Sequence, residues 1–280
     1  MVNVATYLDN ILAFHRKRAA NEYTPLSRDA LLEQALDYND NNGLPRSLTE
    51  HLSRNKGKAD NRIPSLIAEI KKHSPSKGNI RADINLSRIA QDYEGGGASA
   101  ISVLTDEEHF KGHLSYLETV RQATSLPLLR KDFLVCPEDV LMSRISGADA
   151  ILLIAAALSD VELQEMYRLA CDLKMDSLIE IHDEKELARL VSLEPAVIGI
   201  NQRDLHTFQV DTTRAVTLRE KIQEEKIITV AESGITSFQD LLFLGSNGFD
   251  AVLVGESLVR QSDHLLAVRL LLGNQTVNPS

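Results

Sequence analysis

Eight short apolar runs recur along the second part of the chain, and each is followed by a segment that can form a helix. Strands that alternate with helices make βαβ units, and such units build parallel sheets. Because the runs are apolar almost without interruption, we expect the sheet to be buried on both faces. The runs cover residues 66–70, 100–104, 126–129, 150–154, 178–181, 196–200, 227–231 and 251–254.

Eight such units within about 210 residues favour a closed barrel. The alternative, an open doubly wound sheet, would place a G-x-G-x-x-G turn after the first strand, and the sequence has none there. Gly95, Gly96 and Gly97 instead fall at the end of a helix, where they can cap it. We therefore predict an α/β fold, a (β/α)8 TIM barrel over residues 63–280 that forms one catalytic domain.

Residues 1–62 predict an N-terminal helical extension that packs on the barrel. Apolar residues at helical spacing between positions 4 and 15 indicate a first amphipathic helix. A second helix is predicted over residues 29–38 with Ser27 as its cap, and the capping-box sequence that begins at Ser47 predicts a third. The polar stretch 55–61 is typical of a linker.

The charge balance excludes some classes of partner. With 30 basic and 40 acidic residues, the 280-residue chain has a net charge of −10. Such a surface repels nucleic acid and anionic membranes, so we expect neither as a partner. If the substrate is nevertheless an anion, several of the basic side chains must converge on one spot to bind it.

The cysteines and the N-terminus indicate the compartment. Cys136 and Cys171 belong to no paired metal-ligand pattern and suit a reducing environment. The first residues lack the basic start and apolar run of a signal peptide. No stretch approaches the roughly 20 apolar residues that span a bilayer. We therefore expect a cytoplasmic protein.

Polar residues stand at the ends of six of the apolar runs. In such barrels the catalytic groups lie at the C-terminal ends of the strands. Residues two apart on a strand share a face, so Glu69 and Lys71 should both point into the barrel mouth. Crowded carboxylates and lysines shift one another's pKa and can exchange protons, although a single such pair is more often a rim ion pair. The side chains expected to converge are Glu69, Lys71, Lys131, Glu180, Asn201 and Glu232.

Small residues follow the last two runs, at Ser233-Gly234 and Gly255-Glu256. Barrels often bind phosphate at these two strand ends through backbone N–H groups, which favours a phosphorylated substrate, although glycines there can also serve only as tight turns. A carboxylate aimed at a phosphate would oppose binding, so we expect Glu256 to turn its side chain outward. Gly234 and Gly255 would let the chain approach the phosphate.

Two pairs of ring-bearing residues lie near strand ends. Phe110 and Phe133 could pack against an aromatic substrate, or could belong to the core. His109 and His113, four residues apart, could in principle bind a metal on one helix face. Neither an acidic nor a cysteine partner completes a ligand set nearby, so we interpret them as a solvated pair and expect no metal.

Several of these segments together resemble the indole-3-glycerol phosphate synthase family. They follow one another in order through the whole predicted barrel, and the first is long and specific. The matching strings are IAEIKKHSPSKG (67–78), LTDEEHFKG (104–112), LLRKDF (128–133), LIEIHDE (178–184), GINQRDL (199–205), VAESGI (230–235) and VGESL (254–258). The N-terminal helices match the family in position only.

The resemblance implies an enzyme of tryptophan biosynthesis that uses neither a metal nor an organic cofactor. Its substrate would be 1-(2-carboxyphenylamino)-1-deoxyribulose 5-phosphate, which loses carbon dioxide and water. By resemblance Lys131 is the general acid at the ketone, and Glu180 assists the later dehydration. Lys71 would contact the anionic substrate and donate a proton, with Glu69 as a base or orienting group. Asn201 would position the substrate, and Glu232 would hold the lysines and the ribulose hydroxyls.

The resemblance also implies a set of substrate-binding residues. Those around the phosphate or its rim are Arg203, Ser233, Gly234, Gly255 and Glu256. Those that line the aromatic pocket are Phe110, Phe133, Leu153, Leu205 and Phe208, and Ser74 contributes from the loop after the first strand.

Two alternative functions stay open at the level of sequence. One is another phosphate-binding barrel lyase in which Lys131 forms a Schiff base, and the other is a non-catalytic barrel that acts as a partner subunit. We expect a monomer or a weak homo-oligomer. Other tryptophan-pathway enzymes are candidate partners.

Overall fold

A computed structural model describes residues 7–54, 63–74, 78–79, 84–203 and 210–274. Eight parallel strands close into a barrel in which each strand pairs with the next along the chain and the last pairs with the first. This confirms the predicted TIM barrel. The strands are β1 (Ser65–Ile70), β2 (Ala100–Leu104), β3 (Leu128–Lys131), β4 (Ala150–Ile154), β5 (Asp176–Ile181), β6 (Val197–Asn201), β7 (Ile228–Glu232) and β8 (Ala251–Val254).

The helices precede and surround the barrel. Within the described ranges, none is long and apolar enough to cross a membrane. They are α1 (Tyr7–Glu22), α2 (Pro25–Asn42), α3 (Leu48–Ser53), α4 (Leu86–Gly96), α5 (Tyr116–Arg121), α6 (Pro137–Ile145), α7 (Asp160–Asp172), α8 (Glu184–Arg189), α9 (Thr212–Glu220), α10 (Phe238–Ser246), α11 (Glu256–Val259) and α12 (His264–Leu271). After β1, two short antiparallel strands of two residues each, His73–Ser74 and Gly78–Asn79, pair with each other.

The barrel strands are buried on both faces, as their continuous apolar character predicted. In β1 all six residues are buried, and in β2 and β4 all five are. The outward side chains pack under the surrounding helices, and the inward ones fill the barrel. Gly97 caps α4 in the left-handed conformation, with φ 105°, which confirms the predicted cap.

The N-terminal helices contact both ends of the barrel. At one end, Tyr7, Leu8 and Ile11 of α1 face the cavity at the C-terminal ends of the strands. At the other end, the backbone N–H of Thr49 in α3 donates to Asp176 at the start of β5, at 3.0 Å. The hydroxyl of Ser65, the first residue of β1, donates to the carbonyl of Leu52 at 3.0 Å. Helix α3 therefore lies against the strand starts and α1 against the strand ends.

Buried polar contacts fix α1 to the loop after β2 and to α6. His15 Nε2 lies 2.7 Å from Asp106 Oδ2, and Arg18 Nη2 donates to Asp139 Oδ1 at 2.6 Å. The carboxylates of Asp106 and Asp139 are both buried, and a buried charge needs such partners. The hydroxyl of Tyr23 also donates to Asp139, at 3.2 Å.

The predicted caps of the extension were partly right. Ser47 caps α3 and accepts from the N–H of Glu50 at 3.1 Å, as predicted. Helix α2 is longer than the predicted residues 29–38, and Ser27 is not its cap. Thr24 is the capping residue, and Ser27 supplies the reciprocal bond of the capping box from inside the first turn. The short side chains of both residues can cap, so the sequence pattern alone did not separate them.

The contact between His15 and Asp106 should contribute to stability. In the His15→Ala variant Asp106 loses one buried hydrogen-bond partner, so we expect the free energy of unfolding to fall by roughly 1–3 kcal/mol. Urea denaturation followed by far-UV circular dichroism measures it. His113→Ala removes an imidazole that is 53% exposed and should change stability by no more than about 0.5 kcal/mol. Equal losses in the two variants would contradict this role of His15.

Candidate active site

A cavity of about 640 Å³ opens at the C-terminal ends of the barrel strands. The strand ends present both polar and apolar side chains to it. Helix α1 adds a wall that the barrel alone would lack. The polar or charged side chains that line it include Glu69, Lys71, Lys131, Asp132, Glu180, Asn201, Arg203, Glu232, Ser233, Glu256 and Arg260. The six predicted catalytic side chains therefore do converge on one space.

Lys131 lies between two buried carboxylates. Its Nζ is 3.1 Å from Glu180 Oε2 and 3.3 Å from Glu232 Oε2. The side chains of Glu180 and Glu232 are 3% and 2% exposed, so the ammonium is their principal compensation for lost solvation. One cation and two carboxylates thus form the centre of the site.

This arrangement separates the pKa values of the three groups. Burial alone would lower the pKa of Lys131, but Glu180, Glu232 and Glu69 raise it well above its ordinary value. Burial raises the pKa of Glu232, and the nearby Glu180 charge adds to this effect. For Glu180, burial is outweighed by Lys131 and His182, which hold its pKa far below the usual range. The cluster therefore combines a protonated lysine, an ionised carboxylate and a carboxyl group that resists ionisation.

Lys71 and Glu69 form a second pair beside the first. Lys71 Nζ lies 2.6 Å from Glu69 Oε1, and both side chains face the cavity, as their two-residue spacing predicted. The Glu69 carboxylate lies where a side chain on Gly255 would be, since a Cβ on that residue would collide with Glu69 Oε1. Gly255 therefore leaves room for a carboxylate of the protein itself, which is a different role from the expected close approach to phosphate.

Gly199 makes the same kind of room for Glu232. A Cβ at Gly199, in the middle of β6, would collide with Glu232 Oε1. That oxygen is buried and has no hydrogen-bond partner in the described part of the chain. The backbone of Gly199 has no left-handed conformation to explain a glycine, so space for the carboxylate is its explanation.

Asn201 connects the charged cluster to the turn after β7. Its Nδ2 donates to Glu180 Oε1 at 3.1 Å, and its Oδ1 accepts from the Ser233 hydroxyl at 2.9 Å. The same Oδ1 accepts from the backbone N–H of Arg203 at 3.0 Å. These bonds fix the amide orientation, because its nitrogen faces an acceptor and its oxygen faces donors.

The turn after β7 has two consecutive residues in the left-handed region. Ser233 has φ 70° and Gly234 has φ 76°. Serine rarely adopts this conformation, and such residues cluster at functional sites. A Cβ on Gly234 would collide with Val210, so a neighbouring side chain as well as the φ angle requires glycine here.

Glu256 is the first residue of α11 and lines the cavity rim together with Arg260. Its Oε1 accepts from Arg260 Nε at 3.0 Å, one helical turn further on. The carboxylate is thus paired with Arg260, the residue that follows α11, and both residues line the cavity. Arg260 was not among the binding residues predicted from the sequence.

The apolar lining of the cavity differs from the prediction at β4. Phe110 and Phe133 line it with their ring centroids 6.1 Å apart. Leu153 does not, because successive strand residues point to opposite faces and Leu153 is buried on the outer face of β4. Its neighbours Leu152 and Ile154 line the cavity instead. The strand register shows why: Ile154 pairs with the inward-facing Glu180, so Ile154 and Leu152 point inward and Leu153 points outward.

Three expected binding residues are not fully described. Leu205 and Phe208 lie outside the described residues. Ser74 lies in the hairpin after β1, and its side chain is outside the description as well.

The prediction that His109 and His113 form a solvated pair was wrong. Its imidazole is largely buried, with Nδ1 3.2 Å from Asp106 Oδ2, and the nearby histidine is His15. These three residues carry metal-ligand atoms within 4.8 Å of one another. Asp106 Oδ1 already accepts two backbone N–H bonds, from His109 and Phe110. The cluster is a set of hydrogen bonds between α1 and the loop after β2, and α1 was not expected to reach it.

His182 was not predicted as a site residue, although it lies in the matching string LIEIHDE (178–184). It follows β5 directly and lies against the Glu180 carboxylate, with Nε2 3.3 Å from Oε1. A titratable residue two positions after an inward-facing glutamate shares its face, and that spacing was the available signal.

Comparison with known proteins gives a consistent result. A sequence model described as indole-3-glycerol phosphate synthase matches residues 8–271. The Indole-3-glycerol phosphate synthase of Rhodopirellula baltica is 47% identical over 209 residues, which are 75% of this chain and 80% of that protein. The protein of the same description from Desulforamulus reducens is 48% identical over 199 residues, which are 71% of this chain and 75% of its own.

Among solved structures, 3-hexulose-6-phosphate synthase superposes with a TM-score of 0.60 and 11% identity, over 75% of this chain and 99% of that one. At that identity the likeness concerns the barrel fold alone.

The explanation of Gly199 can be tested by adding one methyl group. In Gly199→Ala the new Cβ and the Glu232 carboxylate compete for space, so we expect the free energy of unfolding to fall by roughly 1–3 kcal/mol. Gly95→Ala is the matched control, because Gly95 lies in α4 and its Cβ would make an ordinary 3.4 Å contact with Leu265 of α12. That variant should gain up to about 1 kcal/mol from helix propensity. Urea denaturation of both variants decides, and a stable Gly199→Ala protein would refute the explanation.

Proposed function

The chain belongs to the indole-3-glycerol phosphate synthase family, and on that premise we propose how its residues share the chemistry. It is a carboxy-lyase of tryptophan biosynthesis. The enzyme converts 1-(2-carboxyphenylamino)-1-deoxyribulose 5-phosphate to indole-3-glycerol phosphate, with release of carbon dioxide and water.

Ring closure needs a proton donor at the ketone, and Lys131 is our candidate. A carbon of the aromatic ring attacks the carbonyl carbon, and the electron pair of the C=O bond moves to oxygen. An ammonium at that oxygen stabilises the developing charge and supplies the proton. The raised pKa of Lys131, due to its carboxylate neighbours, keeps it protonated for this role. The placement of Lys131 between Glu180 and Glu232 is the observation on which this proposal depends.

The later steps need both an acid and a base. Loss of carbon dioxide restores the aromatic ring, and loss of water then requires one proton to leave carbon or nitrogen and another to reach the departing hydroxyl. We assign Glu180 and the pair Lys71 and Glu69 to these transfers. The lowered pKa of Glu180 favours the carboxylate form, which can accept a proton. Asn201 fixes this carboxylate from its other side, at 3.1 Å.

The substrate has two anionic ends and an aromatic ring, and the cavity offers a region for each. We propose that the phosphate lies at the turn of Ser233 and Gly234 and the junction of Gly255 and Glu256, with Arg203 at the rim. The ring would lie against Phe110 and Phe133. Leu152 and Ile154 take the place expected for Leu153, and Leu205, Phe208 and Ser74 remain expected contacts.

A Schiff-base mechanism at Lys131 is the less favourable alternative. Attack on a carbonyl carbon requires the neutral amine, and the buried carboxylates around Lys131 stabilise the ammonium. A non-catalytic partner subunit is also disfavoured, because the buried charges at the strand ends cost stability unless they serve a reaction.

The cellular setting is proposed on similar grounds. Both cysteines are free in the structure, which fits a protein of the cytoplasm. We propose that residues 1–62 act as an extension of one catalytic domain that spans residues 63–280. Association with other tryptophan-pathway enzymes, and a monomeric or weakly homo-oligomeric state, are part of this proposal.

An assay of the purified protein with the anthranilate-derived substrate tests the function. Formation of indole-3-glycerol phosphate is followed by its indole fluorescence, without added metal and again with a chelator. We expect equal turnover in both conditions. Absence of product would refute the function, and a loss of turnover with the chelator would refute the mechanism by side chains alone.

Lys131→Ala should lower turnover by about 10² or more, the contribution of a positioned general acid. A loss below about tenfold would exclude Lys131 from that role. Because Lys131→Ala also leaves two buried carboxylates without their cation, Lys131→Arg is the companion variant. A guanidinium can pair with both carboxylates but does not give up a proton, so that variant should be folded and equally slow. Borohydride with substrate should trap no adduct on the parent enzyme.

Glu256→Ser tests the phosphate end of the cavity. Loss of this carboxylate removes repulsion and frees Arg260, so we expect affinity for inorganic phosphate to be unchanged or up to about fivefold tighter, the equivalent of about 1 kcal/mol. Gly234→Val should weaken binding, because its side chain collides with Val210 and its φ is positive. Isothermal titration with phosphate measures both. Weaker binding in Glu256→Ser with unchanged binding in Gly234→Val would reverse the assignment.

A further inference from the structure

His182 occupies a position between two carboxylates at the end of β5. Its Nε2 lies 3.3 Å from Glu180 Oε1, and its Nδ1 lies 3.2 Å from Glu186 Oε2 in α8. The imidazole is 11% exposed, and the Glu186 carboxylate is 15% exposed. Both ring nitrogens thus face an acceptor away from bulk water.

This geometry decides the protonation state of the ring. A neutral imidazole has one N–H, so it could donate to only one of the two carboxylates and would present a lone pair to the other. The imidazolium carries an N–H on each nitrogen, so that Nδ1 donates to Glu186 while Nε2 makes an ion-pair contact with Glu180 outside hydrogen-bond geometry. Burial alone would lower the pKa of His182, but Glu180 and Glu186 raise it to about 10. The ring is therefore a cation over the whole physiological range.

Glu186 in turn fixes the imidazole ring in place. Its Oε2 accepts from the backbone N–H of His182 at 2.8 Å as well as facing the ring. The N–H of Glu186 donates to Asp183, which caps α8. The first turn of α8 thus fixes the ring relative to the end of β5.

The two oxygens of Glu180 have different partners. Oε2 accepts from Lys131, whereas Oε1 faces Asn201 at 3.1 Å and His182 at 3.3 Å. With this division the carboxylate cannot rotate without breaking a charged contact. Its position relative to Lys131 is therefore set from outside the cavity, by a residue that does not line it.

We propose that His182 is a positioning residue for Glu180, whose imidazolium, held by Glu186, fixes the Glu180 carboxylate in its ionised form against Lys131. The inference rests on the proposed role of Glu180 in proton transfer. It adds a chain of contacts from α8 through the ring to the reacting groups. In this chain His182 touches no substrate, and its effect passes through Glu180.

A double-mutant cycle separates positioning from a structural role. His182→Gln keeps a donor but removes the charge, so kcat should fall at least about tenfold while KM changes less than about threefold. In the Glu180→Gln background the same substitution should change kcat less than about twofold, because its target is already gone. Multiplicative losses in the double variant, or a defect in KM alone, would overturn the proposal.

Two further variants keep the test decisive if His182→Gln folds poorly. Glu186→Gln removes the outer carboxylate and should lower kcat in the same direction by a smaller factor. Lys185→Gln alters an exposed charge next to it on the same helix and should leave kcat unchanged. Equal effects of these two variants would overturn the proposal. A parent enzyme that forms no indole-3-glycerol phosphate would count against the function, whereas an active parent with additive losses would count against His182 only.

Nitrogen-15 NMR of the histidine rings supplies a readout that a structural role would not move. The His182 signals, identified by their loss in His182→Gln, should remain those of an imidazolium through pH 8. In Glu180→Gln the ring should titrate at lower pH, because one of its two carboxylates is gone. A midpoint near the ordinary histidine pKa of about 6.5 in the parent enzyme would overturn the proposal.

Discussion

The ammonium of Lys131 between the carboxylates of Glu180 and Glu232 is the contact on which the rest of the site depends. Two carboxylates buried at the mouth of an apolar barrel are costly unless a cation lies between them. Their presence dictates other choices in the barrel. Gly199 leaves space for Glu232. Asn201 and His182 contact the Glu180 oxygen that Lys131 does not bind, and the pKa values of Glu180 and Glu232 shift in opposite directions. One charged contact thus explains residue types on several strands.

The extension and the barrel form one cavity. Leu8 and Ile11 of α1 line it together with the strand ends, and the position of that helix depends on buried contacts such as His15 with Asp106. Asp106 also binds the backbone of Phe110, which lies on the same wall. Asp106 therefore bonds both to α1 and to the loop that carries Phe110, so loss of this carboxylate would affect both.

Local rules were sufficient for the barrel and for the list of converging side chains. Strand ends were recognised by polar residues after apolar runs, and period-two geometry placed Glu69 and Lys71 together. The errors came from long-range contacts. Nothing local shows that Gly255 makes room for Glu69, or that His15 reaches Asp106, ninety-one positions away in sequence. The error at Leu153 was of a different kind, because Ile154 pairs with the inward-facing Glu180 and the alternation along β4 then points Leu153 outward.

The negative net charge of the protein repels an anionic substrate only at long range. The chain has a charge of −10, yet the cavity gathers Lys71, Lys131, Arg203 and Arg260. The carboxylates of Glu69, Glu180, Glu232 and Glu256 each lie against one of these cations, so their fields cancel over a few ångströms. At a Debye length of about 8 Å the outer surface contributes little inside the mouth. Local pairing, rather than total charge, is therefore what lets an acidic protein bind an anion.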